Sequence, residues 1–390
     1  MLYVYKVRKR GEKMKVTRSY EIKLKPNKSQ MFQLNNYFYE AKILYNYLLN
    51  CSNIFAVHSC KIKHVFKYDK DRNKINVVLS YLPSKLKQNV HRGMMDAIKS
   101  LSALKRKGKT VGRLKFKSEI TTIDIDNQSY FVVDKYHIKL LGFRRKKIRC
   151  LGLHQLDDSI IKFRNAKLIK RDNEFYLKIC VLKEVDILQS LRQDDVSQTE
   201  QFDQNIGTDF GIADTITLSN GQKLNCKIEE TARLKKLQKK FARSKLLNSK
   251  RTNNQQKLLV QIHKEYRKIL NRKKDFTNKL IHRLDSNYTY IVFQDEQIRG
   301  WKNLKSCRCT IQHSCLGTIK QRLISKHQEQ PNRYIMLDRW TPTTQSCPKC
   351  HKKNPHSLDK RIYQCSCGYT EDRDVHAAKS MLLFANLSPV

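Results

Sequence analysis

Residues 205–224, NIGTDFGIADTITLSNGQKL, indicate how the C-terminal half of this 390-residue chain folds. Two short apolar runs predict two strands joined by a tight turn, and Asn220-Gly221 predicts a second turn, because these residues tolerate the backbone of short hairpin loops. The first strand, IGTD, ends at Asp209 immediately before the glycine-containing turn FGIAD. An aspartate at a strand end is common, so Asp209 is informative only together with features elsewhere in the chain.

The sequence after this hairpin contains helical and strand patterns in turn. Asp374 lies in DRDVHAA at the start of the last predicted helix, where an aspartate is also common as a cap. The predicted elements are a basic helical stretch at about 228–284 with a break near 248–254, the strand YIVFQ at 290–294, an amphipathic stretch at 316–324, the strand RYIMLDRW at 333–340 and a terminal helix at 376–387.

The composition is strongly basic: the chain has 79 Lys and Arg but 35 Asp and Glu, a formal net charge of +44. Such a charge makes a compact chain repel itself unless a polyanion neutralises it, so nucleic acid is the expected partner. A ribosomal-type basic protein would share this composition. The sequence has neither a membrane-spanning apolar run nor a signal-peptide pattern, so we expect a soluble intracellular protein without membrane association.

The N-terminal half is expected to bind the nucleic acid. SYEIKLKP at 19–26 predicts a strand followed by a turn, and apolar residues at helical spacing over 34–48 predict an amphipathic helix. A second helix is predicted over 83–106. Short alternating runs over 116–184 predict an antiparallel barrel or sandwich, and the polar segment 186–204 predicts a linker to a catalytic half.

Four of the twelve cysteines form two close pairs near the C-terminus. Cys347 and Cys350 are separated from Cys365 and Cys367 by fourteen residues rich in turn formers, which is the layout of the two knuckles of a zinc ribbon. Four thiolates complete the tetrahedral coordination of Zn²⁺ and leave no open position, so a structural zinc site is predicted. Without a metal, this poorly hydrophobic segment would have little to order it.

The other cysteines carry a weaker signal. In an intracellular chain they are expected as thiols and not as disulfides. One group offers a second metal site as an alternative, although its spacing is too crowded for a standard ribbon: Cys307, Cys309, His313 and Cys315. The rest are expected to be isolated packing residues: Cys51, Cys60, Cys150, Cys180 and Cys226.

These motifs together resemble the TnpB (OrfB) family, which is related to type V CRISPR effectors, and the resemblance covers nearly the whole chain. YEIKLKPNKSQ and YNYLL are similar to its N-terminal region, and GRLKFKS is similar to its Gly-Pro-Arg-Phe-Lys signature, with Leu114 in place of the proline. IGTDFGIADTITLSNG resembles the first RuvC motif, whereas PTTQSCPKC, YQCSCGY and DRDVHAA resemble the zinc ribbon and the third RuvC motif.

The resemblance implies an α+β multidomain fold: a β-barrel wedge domain with a helical insertion, then an RNase H-like (RuvC) α/β domain with a helical insertion and a zinc ribbon. The wedge domain would comprise residues 1–27 and 113–185 and would enclose a helical recognition domain at 28–112. After the linker at 186–204 would follow the RuvC-like nuclease domain at 205–340, the zinc ribbon at 341–370 and the last RuvC helix at 371–390.

The resemblance also implies a catalytic site of three acidic residues that bind two Mg²⁺ ions about 4 Å apart, which position a water and stabilise the leaving oxygen in phosphodiester hydrolysis. Asp209 would bridge the metals and Asp374 would complete the site. An ungapped match places Gln294 at the second acidic position. Glu296 is expected to take the role, because in a strand it would share a face with Gln294, whereas Asp295 would face the other way.

The function implied by the resemblance is an RNA-guided, Mg²⁺-dependent DNA endonuclease associated with a transposable element. Its expected partners are a guide RNA and double-stranded target DNA with a short flanking motif. The chain is expected to act as a monomer, in the cytoplasm of a prokaryote or the nucleus of a eukaryote. Two alternatives stay open: a catalytically inactive RNA-guided DNA-binding regulator, and a transposase that acts on DNA directly.

Two sets of polar side chains are candidates for nucleic-acid contacts. Lys85, Gln88 and Arg92 recur at i, i+3 and i+7 on the polar side of the second helix and could read the flanking motif, although a solvated helix face has the same pattern. The second set, which could follow a phosphate backbone, comprises Lys235, Lys236, Lys239, Lys240 and Arg243.

Overall fold

The computed structural model describes residues 13–68, 73–143, 146–186, 205–244, 252–301, 303, 308–354 and 360–387. These residues form two compact units: an N-terminal unit that ends at Val185 and a C-terminal unit that begins at Asp186. The division falls where the sequence predicts the linker to begin. Residues 187–204 of that linker lie outside the described residues.

The N-terminal unit contains two long helices, a seven-stranded sheet and a separate two-stranded hairpin. Its elements are β1 (Lys13–Lys25), α1 (Lys28–Leu49), β2 (His64–Tyr68), β3 (Lys74–Val78), α2 (Ser84–Arg106), β4 (Thr122–Ile125), β5 (Tyr130–Asp134), β6 (His137–Leu140), β7 (Ile148–Leu151), β8 (Ile160–Arg171) and β9 (Glu174–Asp186).

The strands of the large sheet follow the order β4-β8-β9-β1-β7-β6-β5. β1 precedes both helices in the chain but lies between β9 and β7, and it pairs antiparallel with β7 so that Leu24 is opposite Cys150. The sequence predicts an antiparallel barrel or sandwich. Among the described residues, the strands form one sheet whose end strands, β4 and β5, are not paired with each other.

Helix α1 forms because its apolar residues recur on one face, and that face enters the core of the N-terminal unit. Leu34 and Tyr37 are almost fully buried there. The helix begins with a capping box: the side chain of Asn27 accepts from the backbone N–H of Gln30, and the Gln30 side chain accepts from the backbone N–H of Asn27. The range of α2 also matches the predicted helix closely.

The C-terminal unit contains a five-stranded sheet, a small hairpin and helices on several connections. Its elements are β10 (Asn205–Asp209), β11 (Ile216–Leu218), β12 (Lys223–Leu224), α3 (Ala232–Arg243), α4 (Asn253–Asn287), β13 (Tyr290–Gln294), α5 (Ile298–Trp301), α6 (Arg308–His313), α7 (Leu316–Glu329), β14 (Tyr334–Leu337), β15 (Ile362–Gln364), β16 (Thr370–Asp372) and α8 (Arg373–Phe384).

The five-stranded sheet has the order β12-β11-β10-β13-β14 and is of mixed direction. β10 is antiparallel to β11 and parallel to β13, and β13 is parallel to β14. Because parallel strands end at the same edge of a sheet, the chain leaves β10 and β13 on the same side. The side chains that follow these two strands are therefore brought near each other.

The predicted basic helical stretch forms two helices, α3 and α4, which pack together. Leu234 of α3 packs with Ile262 and Ile269 of α4 in a small separate core. Helix α4 begins with a capping box between Thr252 and Gln255. Among the helices of the described residues, none combines the length and the apolar character that a membrane span requires.

Two cysteines correct the sequence-based interpretation. Cys226 is not an isolated packing residue: it forms a disulfide with Cys315, and both residues are buried. The two cysteines are close because the chain after β12 runs beside the end of α6. There Lys227 and Ser314, the neighbours of the two cysteines, form an isolated antiparallel β-bridge. A bonded Cys315 has no thiolate to offer a second metal site. Cys307, another candidate ligand for that site, lies outside the described residues.

Candidate active site and metal centre

Strand β10 and helix α8 pack closely, and this contact brings the two predicted aspartates toward each other. Gly207 makes the approach possible, because a Cβ atom there would overlap the backbone carbonyl oxygen of Ala378 in α8. Gly207 precedes Asp209 by two residues, and Ala378 lies about one helical turn after Asp374. The glycine thus sets the distance between the strand that ends at Asp209 and the helix that begins beside Asp374.

The Asp209 carboxyl lies near both of the other predicted acidic residues. Although Asp209 keeps some accessible surface, its carboxyl is enclosed by protein, and this burial raises its pKa well above the usual range. The negative charges of Asp374 and Glu296 raise that pKa further. Asp209 is therefore within electrostatic range of both carboxylates, and a bound cation would relieve the repulsion.

Asp374 occupies the first turn of α8. The helix is capped by Asp372, whose side chain accepts from the backbone N–H groups of Asp374 and Val375 at 3.0 and 3.2 Å. The Asp374 carboxylate accepts from Nε and Nη2 of Arg373, both at 3.2 Å, and its other oxygen lies 3.7 Å from Nη1 of Arg361. Two guanidinium groups therefore orient this carboxylate.

The strand-face argument for Glu296 is wrong, because β13 ends at Gln294 and the chain turns after it. The backbone N–H of Glu296 donates to the carbonyl of Gln294 at 2.9 Å, a contact that an extended strand does not allow. Gln294 itself is buried, and its Nε2 donates to the carbonyls of Asp338 and Thr341. Gln294 therefore braces the loop after β14.

Glu296 nevertheless reaches the acidic group by way of this turn. Its charge contributes to the raised pKa of Asp209, and burial raises the pKa of Glu296 as well. The neighbouring Asp295 is engaged by two cations, with Lys320 at 2.6 Å and Arg339 at 3.0 Å, which hold its pKa below the usual range. The two adjacent carboxylates therefore have different surroundings: Asp295 is paired with Lys320 and Arg339, whereas Glu296 is within electrostatic range of Asp209.

The chemistry of the carboxylate group suits a hard divalent cation. Carboxylate oxygens are ligands that Mg²⁺ prefers, and repulsion among buried carboxylates favours a cation between them. In the part of the chain that the structure describes, only the four cysteines bring three or more ligand atoms within 4.8 Å of one another. The acidic residues thus fit Mg²⁺ in donor type, and their side chains would have to move closer to enclose an ion.

The four predicted zinc ligands form one compact cluster, with 3.6 Å between Sγ of Cys347 and Cys367 and 3.5 Å between Sγ of Cys350 and Cys365. Sulfur atoms bound to one Zn²⁺ at about 2.3 Å are about 3.8 Å apart at the corners of a tetrahedron. A hydrogen bond with the backbone of Cys367 lowers the pKa of Cys365 to about 6, and Nδ2 of Asn354 donates to its Sγ at 2.8 Å. The cluster can therefore hold a zinc ion.

The segment that carries the cysteines packs directly on α8. The ring of Tyr363 in β15 stacks on the ring of His376, with centroids 3.6 Å apart and planes 10° apart. Oγ of Ser380 donates to the carbonyl of Ser346, next to the first cysteine, at 2.9 Å. Because β16 continues straight into α8, the cysteine segment is directly connected to the start of the helix that carries Asp374.

The candidate residues on α2 do not share one environment. Gln88 and Arg92 line the same surface cavity of about 380 Å³. Lys85 instead forms an ion pair with Asp126, with Nζ 3.3 Å from Oδ2. The structure therefore brings together two of the three residues, and ties the third to a carboxylate of the sheet.

The candidate residues on α3 all lie on one exposed face. The opposite face of this helix packs against α4 through Leu234, with Leu237 and Phe241 partly buried beside it. This arrangement is that of an ordinary amphipathic helix, whose polar face is free to meet a polyanion. The exposed cations are Lys235, Lys236, Lys239, Lys240 and Arg243.

Sequence reasoning missed three residues that shape the acidic group. Gly207 lies inside a strand, and a glycine there is a known sign of a close backbone approach. Arg373 adjoins a predicted ligand in the chain, so its position was a weak signal. Arg361 lies in the cysteine segment far from β10, and no local pattern indicates that its guanidinium lies beside Asp374.

Two family models match adjoining parts of the chain. OrfB_IS605, described as a probable transposase, matches residues 178–304, which include Asp209 and Glu296. The Cas12f1-like TNB domain matches residues 317–381, which include the four cysteines and Asp374. The chain is TnpB-like.

Two curated relatives match parts of this TnpB-like chain. A Streptomyces pristinaespiralis protein, provisionally named an RNA-guided DNA endonuclease, is 31% identical over 182 residues, which are 45% of this chain and 44% of that protein. A protein of Acanthamoeba polyphaga mimivirus, provisionally named a transposase, is 28% identical over 191 residues, which are 45% of this chain and 39% of that protein. The chain thus spans less than half the length of either relative.

Solved structures with a similar chain trace include two complexes of CRISPR effectors. The Cas12f1–sgRNA–target DNA complex covers 76% of this chain and 71% of its own, with a TM-score of 0.37 at 11% identity. CasPhi-2 (Cas12j) bound to crRNA covers 95% of this chain and 98% of its own, with a TM-score of 0.43 at 10% identity.

Proposed function

We propose that this TnpB-like chain is an RNA-guided DNA endonuclease of the RuvC type, which hydrolyses phosphodiesters with two Mg²⁺ ions and is associated with a transposable element. The observation that carries the proposal is that the enclosed carboxyl of Asp209 lies within electrostatic range of both Asp374 and Glu296, whose charges raise its pKa beyond the effect of burial. The name of the Streptomyces relative supports the reaction class, and the match to OrfB_IS605, described as a probable transposase, supports the association with a transposable element.

In this proposal Asp209, Glu296 and Asp374 hold the metal, each from a different element of the C-terminal unit. When bound, Mg²⁺ supplies Lewis acidity that activates a water and stabilises the leaving oxygen. Arg373 and Arg361 keep the Asp374 carboxylate oriented, and the enclosed position of Asp209 strengthens its attraction for a cation. The zinc-bound cysteine segment supports the start of α8 and takes no part in the chemistry.

The proposed partners are a guide RNA and double-stranded target DNA with a short flanking motif, engaged by a monomer in the cytoplasm or the nucleus. Gln88 and Arg92, which line one cavity, are the proposed readers of the flanking motif. The exposed cations of α3 would follow a phosphate backbone. Because the net charge is +44, we expect RNA to co-purify with the chain and its affinity to fall steeply with salt.

Guided cleavage of a matched DNA tests the proposal. The full chain with its co-purifying RNA should cut a target that carries the flanking motif when Mg²⁺ is present. Asp209→Ala should lower the cleavage rate by about 10³-fold or more while target binding persists, because it removes a metal ligand and not a nucleic-acid contact. Asp275→Ala, an exposed carboxylate on α4, is the matched control and should cut normally.

Two outcomes would favour the alternatives. A chain that binds the matched target through its RNA but never cuts it would be an inactive RNA-guided regulator. A chain that joins or cuts DNA ends after its RNA has been digested would be a transposase acting directly on DNA.

A further inference from the structure

The N-terminal unit contains an open pocket of about 950 Å³ between α1, the β2–β3 hairpin and the loop after α2. Beside the partly buried Tyr47 of α1, four exposed aromatic side chains line it: Tyr39 from α1, Phe66 and Tyr68 from β2, and Phe116 from the loop. Each is between 42% and 66% exposed. A cluster of exposed rings in one concavity is a sign of a binding site, because a stable isolated surface rarely gathers them.

The pocket is also basic. Nζ of Lys74 lies 4.0 Å from the centroid of the Phe66 ring, and Nζ of Lys42 lies 5.1 Å from that of Tyr39. Nζ of Lys67 donates to the hydroxyl of Tyr39 at 3.1 Å. Among the described residues that line the pocket there is no Asp or Glu. Apolar ring faces with ammonium groups beside them suit a flat, anionic ligand.

Two of the rings are placed by regular structure. Phe66 and Tyr68 are two residues apart in β2, so they stand on the same face of the hairpin. Phe116 is positioned through its neighbour Lys117, whose backbone N–H and carbonyl are both bonded to the Asn46 side chain at 2.9 Å. The rings are therefore held at defined positions before any ligand binds.

We propose that this pocket binds unpaired bases of a single-stranded RNA, which stack on the aromatic rings while the adjoining phosphates meet the lysines. Successive rings and cations along a groove are the pattern by which proteins hold unpaired strands. A duplex is excluded as the occupant because its bases are already stacked inside the helix. Asn50, Ser52 and Asn53 also line the pocket and supply uncharged groups for base edges and the ribose 2′-hydroxyl.

The inference stands apart from the proposed nuclease. All three carboxylates lie in the C-terminal unit, whereas every residue of the pocket lies in the N-terminal unit. A chain without cleavage activity would still bind RNA in the pocket, and Asp209→Ala should leave this binding unchanged.

Fluorescence of a single-stranded RNA of about eight nucleotides containing 2-aminopurine measures stacking directly. The full chain is titrated at a salt concentration that suppresses binding through phosphates alone. Phe116→Leu keeps an apolar side chain but removes the ring, and it should weaken binding by about fivefold or more and reduce the quenching. Phe131→Leu, which alters an exposed ring on β5 outside the pocket, is the control and should change the affinity by less than about twofold.

Each result decides the inference. Equal weakening by the pocket and control variants, or no weakening by Phe116→Leu, would overturn it. Equal binding of single-stranded DNA, with the same loss in Phe116→Leu, would overturn the assignment to RNA. Tyr68→Leu is a second pocket variant, so the test remains decisive if thermal unfolding shows that one variant is misfolded.

Discussion

The cysteine cluster and the carboxylate group are both candidate metal sites of the C-terminal unit, yet they are assembled in different ways. The four cysteines lie within residues 347–367, and their sulfur atoms are already at zinc-binding separations. The carboxylates come from the end of β10, the turn after β13 and the start of α8. Burial raises the pKa of Asp209 and the charges of Asp374 and Glu296 raise it further, so a bound cation would relieve the repulsion among these carboxylates.

The cysteine cluster can stabilise its own segment, whereas the carboxylate group depends on the surrounding fold. A closed set of thiolates stabilises its own segment when it binds zinc. The carboxylates contribute repulsion instead, and the packing of β10 on α8 must hold them together. The cysteine segment contributes to that packing through the stacking of Tyr363 on His376. The two sites therefore share the packing around α8, and the variants below test each of them.

The largest effect is expected from removing a zinc ligand. Cys350→Ser should lose the zinc ion, and because zinc binding contributes on the order of 10 kcal/mol in small zinc modules, the segment around it should unfold. Metal analysis and thermal unfolding measure this. Cys60→Ser, at a partly exposed thiol in the N-terminal unit, is the control and should keep its zinc. A folded unsubstituted chain with well under about one zinc per molecule would contradict the assignment.

The next largest effect is expected on the cleavage rate when two adjacent carboxylates are substituted in turn. Glu296→Gln should lower cleavage by about 10³-fold, because it removes a ligand charge without changing the shape of the side chain. Asp295→Asn should cut within about tenfold of the unsubstituted chain, because Asp295 is engaged by Lys320 and Arg339 and not by the metal. Single-turnover cleavage rates distinguish the two. The reverse order of effects would assign the metal to Asp295.

A smaller effect tests the packing that joins the aspartates. Gly207→Ala should destabilise the chain by about 1–3 kcal/mol and reduce cleavage, because the added Cβ pushes α8 away from β10. Gly317→Ala is the matched control, since a Cβ there meets no atom within 4 Å and alanine favours the helix. Chemical denaturation gives both values. Equal stability of the two variants would mean that the strand and helix are less tightly opposed.

The smallest effect concerns stability as a function of pH. Folding raises the pKa of Asp209, so its ionisation destabilises the folded, metal-free chain increasingly as pH rises from the ordinary carboxyl range through the folded pKa. Asp209→Asn should therefore stabilise the metal-free chain by about 1 kcal/mol near neutral pH and have little effect in acid.

For Asp295 we expect the opposite dependence of stability on pH. Its pKa is lowered in the folded chain, so its ionised form adds stability above the ordinary carboxyl pKa, and that stability is lost as pH falls through the folded pKa. Asp295→Asn should therefore destabilise the chain near neutral pH. Thermal unfolding from about pH 2 to about pH 8 measures both variants. Parallel pH profiles would show that the two carboxyls have similar environments.

Local patterns in the sequence were sufficient for most elements and for the zinc ligands. Strand β13 has the bounds predicted from YIVFQ, and the helical spacing of Leu34 and Tyr37 predicted α1. The cysteine spacing predicted a cluster because its ligands come from a short segment, where turn geometry alone brings them together. The pairing of Cys226 with Cys315 was missed, since it depends on two segments far apart in the chain.

The sequence by itself determined that this chain is basic, that it has two metal-binding residue types in separate places, and that Asp374 lies at the start of its last helix. Only the tertiary structure decided which carboxylates lie within electrostatic range of one another. Glu296 was selected on the assumption that the strand continues past Gln294. That assumption is wrong, because the chain turns after Gln294, and no local sequence pattern indicates the turn. The position of Asp209 beside Asp374 follows from the packing at Gly207, which depends on residues distant in sequence.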